Sequence, residues 1–124
     1  MNILTVIIRV LLGLMLVVFG SNAFLHFIPM PPLPPTTAGN FISALMVSHY
    51  IDAVALFEIV GGALLVVGRF VPLGLTLLGP VIVNIVLFHI FLDRSGLGMA
   101  AIVSALSLFL LWRYRAAFAG LLRA

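Results

Sequence analysis

From Ile3 to Phe27 the chain is apolar, with Arg9, Ser21, Asn22 and His26 as its main interruptions. A helix needs about 20 apolar residues to cross the hydrocarbon core of a bilayer, so a run of this kind has lipid as its natural solvent. Three comparable runs follow, Tyr50–Val67, Pro72–Leu92 and Leu97 to the cluster Trp112-Arg113-Tyr114-Arg115. Four spans with short connections leave no room for a soluble appendage. The chain therefore reads as one all-α transmembrane domain, residues 1–124, a four-helix bundle with spans at about 3–27, 50–67, 72–92 and 97–115.

Composition agrees and excludes the main alternatives. The 124 residues are 65% hydrophobic and 7% charged, with mean hydropathy +1.39, whereas a soluble domain carries about 25% charged residues. Nine charged side chains cannot coat a soluble globule, which rules out a soluble enzyme, a nucleic-acid module and a disordered tail together. The isoelectric point near 10.7 comes from arginines placed singly near span ends, a topological pattern and not a nucleic-acid stripe. Cysteine is absent, so there is no disulfide framework, thiolate metal site or thiol nucleophile. Ser21-Asn22-Ala23 loosely imitates a signal-peptidase site, but the positive segment that precedes such a site is missing and Arg9 sits within the apolar run. The first span reads as retained.

The connections carry their own signals. Five of the seven prolines (Pro29, Pro31, Pro32, Pro34, Pro35) fall between residues 28 and 40, which dictates an extended, partly polyproline-like loop. Thr36 or Thr37 can then cap a short helix over 37–49 that lies along the membrane surface. Gly68-Arg69 and Pro72 close the second span. Pro80 lies inside the third, where it should kink the helix and release the carbonyl of Thr76 four residues earlier. Asp93-Arg94-Ser95-Gly96 reads as a tight turn. Four crossings put both termini and the 68–71 turn on one side, with Arg69, Arg113, Arg115, Arg123 and nearby Arg9; only Arg94 lies opposite. The positive-inside rule then predicts cytoplasmic termini, and the inner membrane if the source is bacterial.

Two polar constellations remain. A charge at mid-membrane is costly and marks function or pairing. At 1.5 Å per residue Arg9 lies ~9 Å, Glu58 ~14 Å and Asn84 ~18 Å from the cytoplasmic ends of their spans. This spacing predicts an Arg9–Glu58 contact joined by Asn84, with Gly13, Gly20, Gly61 and Gly62 permitting close approach. It serves either as a packing clasp or as a proton- or substrate-binding centre in which Glu58 is the candidate catalytic acid. The second constellation is His26, His49 and His89, all toward the opposite face, each with an oxygen-bearing residue at helical spacing (Asn22, Asp52 and Asp93). Interfacial packing, hydrogen bonding to a quinone, a divalent metal or a haem all remain open for these groups. No tightly spaced metal motif, nucleophile elbow or nucleotide loop is present.

The order of these features resembles the DoxX family of small four-helix membrane proteins. The resemblance rests on RVLLGLMLVVFG (Arg9–Gly20) and on EIVGGALLVVGRFVPLG (Glu58–Gly74), whose Glu-x-x-Gly-Gly is the most specific part. FLHFIPMPP (Phe24–Pro32) and GPVIVNIVLFH (Gly79–His89) look like a subgroup signature within that family. It implies a polytopic bundle with Arg9 and Glu58 as the intramembrane polar residues, in a family with relatives linked to thiosulfate:quinone oxidoreduction or to redox-stress assemblies. The resulting expectation is a non-catalytic accessory or scaffolding subunit of a larger redox-linked membrane complex, surrounded by lipid and by other subunits or further copies of itself. The alternative expectations are a quinone-linked oxidoreductase subunit using the Arg9–Glu58 pair, with quinone or lipid as the bound molecule, and a small-molecule carrier.

Overall fold

The computed structural model describes residues 2–124. Among them there is no strand, and the helices are α1 (Ile3–Leu25), α2 (Thr37–Val47), α3 (Tyr50–Val67), α4 (Val71–Phe91) and α5 (Leu97–Arg113). Four segments are long and apolar enough to cross a membrane (α1, α3, α4, and Arg94–Arg113 containing α5), which fits an integral membrane protein. Short 3₁₀ turns at Arg94–Gly96 and Arg115–Leu122 flank α5. Tyr114 and Phe118 pack back on the core, so the chain beyond α5 is held at the terminus-bearing end.

Each boundary has a local cause. Asn2 caps α1 by accepting the Thr5 N–H through its side chain at 3.2 Å. Of the two threonines offered as caps for α2, Thr36 takes the role, its hydroxyl accepting the Gly39 N–H at 3.3 Å. Gly68 ends α3 at φ +79°, a left-handed conformation that side chains with a Cβ resist, and its N–H returns to the Leu64 carbonyl at 2.9 Å. Proline sits in the first turn of α4, where it gives up no helical hydrogen bond. Pro80 lies inside α4, which continues through it without a break.

The bundle closes as a ring: α1 against α3, α3 against α4, α4 against α5 and α5 back against α1, with α2 laid on α3. Close approach is set by glycine. A Cβ on Gly13 would stand 2.6 Å from the Gly62 carbonyl oxygen, and one on Gly62 would stand 2.7 Å from that of Gly13. The neighbouring Gly61 faces the other way, toward Gly74 and Leu78 of α4. Two adjacent glycines on α3 thus admit a helix on each side, the small-residue contact that lets spans associate in lipid. Leu12, Leu16, Leu65, Leu75, Leu78, Ile82, Val103 and Leu110 fill the centre.

Candidate functional site

The glycine contacts fix the register of α1 on α3 and thereby place the polar residues. Arg9 lies four residues before Gly13, and Glu58 four before Gly62. The helices are antiparallel, so these offsets point in opposite directions and separate Arg9 from Glu58 by roughly 12 Å along the axis. The predicted Arg9–Glu58 contact is therefore corrected: among the described residues the one ion pair within 4.0 Å is His49–Asp52. Depths counted from span ends mislead here because α1 extends past α3 at the terminus-bearing end.

Arg9 instead reaches the end of α3. Its guanidinium lies over Gly68, whose Cβ, were there one, would be 2.7 Å from Nη1. Helix C-termini carry unpaired carbonyls and the negative end of the macrodipole, which a guanidinium complements. Its Nε is buried without a hydrogen-bond partner, as is Oγ1 of Thr5 one turn earlier on α1.

Glu58 opens on a groove of about 700 Å³ between α3 and α4, roofed at one end by α2. Asn84, Thr76, Tyr50 and His89 share it with the aromatic walls Phe41, Phe57 and Phe88. The Phe41 and Phe88 rings stand 5.8 Å apart and join α2 to α4. Asn84 is thus brought beside the same groove as Glu58, as the spacing suggested, although its amide serves its own helix. Nδ2 donates to the Pro80 carbonyl at 2.8 Å, and the Thr76 hydroxyl likewise donates to the Pro72 carbonyl at 2.8 Å. The Thr76 carbonyl loses its helical donor to Pro80. Glu58, Asn84 and the Pro80 effect are legible in the sequence. Tyr50, Phe41, Phe57 and Phe88 are not, because they carry no signal until α2 folds over α3 and α4.

The histidines do not converge. Among the described residues no three His, Cys, Asp or Glu side chains gather in a way that could hold a metal ion. Each histidine instead serves its own helix end. His26 caps α1 in a left-handed conformation at φ 51°, with its N–H donated to the Asn22 carbonyl. The Asn22 side chain accepts the Ile28 N–H at 2.8 Å and does not meet the imidazole. His49 sits at φ 63° before α3 and bonds Asp52 through Nδ1 at 3.1 Å. His89 donates from Nδ1 to the Asp93 carbonyl at 2.9 Å, its ring pressed against Gly96. The expected partnerships along the helix hold for His49 with Asp52 and, through the backbone, for His89 with Asp93. A metal cluster of three such side chains is not assembled among the described residues.

The turn after α4 has a pH signature. Ser95 donates its hydroxyl (2.5 Å) and its N–H (3.1 Å) to Asp93 Oδ1, which holds the Asp93 carboxyl below its ordinary range, with the nearby His89 as a smaller cause. A depressed folded value means the stabilisation is present above the unfolded value and is lost as pH falls through the folded one. We expect the Ser95 amide, followed by hydrogen exchange, to stay protected until the solution is more acidic than the usual carboxylate range. Asp93→Asn should abolish that acid step; a step that survives in the variant belongs to another group.

At the opposite end Trp112 is flanked by Arg113 and Arg115, whose guanidinium carbons lie 5.7 and 5.2 Å from the indole centre. This matches an aromatic and basic membrane-interface anchor. No protein-family model, curated protein or solved structure matches the chain.

Proposed function

We propose that this protein is an accessory subunit of a larger, redox-linked membrane assembly, akin to the DoxX family that most of the chain resembles, with both termini in the cytoplasm. The observation that carries the reading is the face between α4 and α5. A gap of about 320 Å³ opens there, lined by Leu75, Gly79, Ser104 and Ser107 among aliphatic side chains. The Ser104 hydroxyl is buried without a hydrogen-bond partner, and a Cβ on Gly79 would meet nothing within 4 Å. A gap edged by small residues, with open space over Gly79, is what a neighbouring span packs against in lipid. The cytoplasmic assignment is supported by Arg69, Arg113, Arg115 and Arg123 sharing the side of the termini.

Purification in mild detergent followed by native mass spectrometry tests the reading. We expect stoichiometric companion subunits or further copies of this chain on the wild type, and their loss on Gly79→Leu, while the variant itself stays folded. A solitary wild-type chain would defeat the proposal. The quinone-linked alternative retains Glu58 as an acid, but it loses Arg9 as that acid's neighbour.

A further inference from the structure

We propose that the Glu58 groove is a binding site for a small hydrophobic cation, an organic ammonium or phosphonium with an aromatic or aliphatic body, entering sideways from the bilayer. The hydrogen-bonding capacity left free around the groove points to this class of ligand. Glu58 has no ion pair or hydrogen bond within the described chain. The Asn84 amide spends one of its two N–H groups on the Pro80 carbonyl, which leaves the other N–H and its oxygen. The Thr76 hydroxyl hydrogen is committed to Pro72, which leaves the carbonyl that Pro80 released. His89 spends its Nδ1 hydrogen on the Asp93 carbonyl, which leaves Nε2 as the ring nitrogen free for the groove. What faces the groove is thus richer in acceptors than in donors: among the described residues the Tyr50 hydroxyl and one Asn84 N–H are the lining donors not spent on the chain's own backbone.

No arginine among the described residues lines the groove. An anion would find no positive group in the groove to offset Glu58, and a quinone's carbonyls would face more acceptors than donors. A cation meets both Glu58 and the aromatic walls Phe57 and Phe88, and aromatic ring faces attract positive charge through their quadrupoles. Size favours a small molecule over a partner span. The volume, about 700 Å³, falls in the range of about 300–1,000 Å³ typical of small-ligand pockets. The roof that α2 lays over one end blocks a helix running the depth of the bilayer. The long exposed apolar faces of α3 and α4 leave the groove accessible to anything dissolved in the acyl chains.

The test uses the full chain in lipid nanodiscs, with empty nanodiscs subtracted, and tritiated tetraphenylphosphonium as the probe. Tetraphenylborate, of nearly the same shape and opposite charge, is the comparator, and decylubiquinone is the competitor. We expect saturable one-to-one binding of the phosphonium, no saturable binding of the borate and little displacement by the quinone. Glu58→Gln should weaken phosphonium binding by about a hundredfold, the scale for removing one member of a close charge pair. Glu58→Asp should restore part of it, and Phe57→Ala should weaken it less than Glu58→Gln does. Equal binding of phosphonium and borate, strong displacement by decylubiquinone, or phosphonium binding unchanged in Glu58→Gln would each overturn the proposal. Opposite charges are compared on wild-type protein, so the proposal can be overturned even if a variant fails to fold.

Discussion

Gly62→Leu abolishes the folded bundle: the variant is expected to lose its cooperative thermal transition in detergent and to elute as aggregate. The cause is steric and lies in the backbone. A Cβ at Gly62 would stand 2.7 Å from the Gly13 carbonyl oxygen and 3.1 Å from the Val17 nitrogen, atoms that cannot rotate aside as a flexible side chain would. Overpacking costs about 1–3 kcal/mol when side chains can adjust. Here the whole of α1 must lift off α3, and this is the most extensive helix contact in the molecule. Gly98→Ala is the matched control. Its Cβ meets nothing within 4 Å, so the lower helical entropy cost of alanine should raise stability by about 0.5–1 kcal/mol. A Gly62→Leu protein that melts like the wild type would mean that α1 and α3 pack through another face.

Glu58→Gln and Arg9→Gln are expected to act in opposite directions. Were the two side chains a buried pair, deleting either charge would strand the other at a cost of about 3–5 kcal/mol. They are not paired. Glu58→Gln removes an ionisable group from the middle of a span and leaves no orphan, so the unfolding free energy should hold or rise by about 1 kcal/mol, a modest fraction of the insertion cost of a charge at that depth. Arg9→Gln removes the guanidinium from the C-terminus of α3 and should lower stability by about 1–2 kcal/mol, the upper range for a partly buried charge at a helix end. Thermal melts of the two single variants and the double variant in one detergent distinguish the cases. Strong coupling between them would restore the clasp and remove the physical basis for reading the Glu58 groove as open.

Much of this molecule can be read along the chain. The four apolar helices, the short helix after the proline loop, the Thr36 cap, the proline inside α4 and the Asp93–Gly96 turn all follow from local causes: apolar length, missing N–H groups, capping oxygens and left-handed glycine. Each is a property of a few consecutive residues. The expected pairing of Arg9 with Glu58 fails because hydropathy gives a residue's depth relative to its own span ends, whereas contact depends on how far one helix slides along another. That slide is decided where Gly13 meets Gly62 and Gly61 meets Gly74, a property of two surfaces at once. The groove has the same origin. Glu58 and Asn84 belong to different helices, and their aromatic walls come together only when α2 folds back over α3 and α4. Chemistry that depends on two or three segments meeting is legible in the tertiary structure alone.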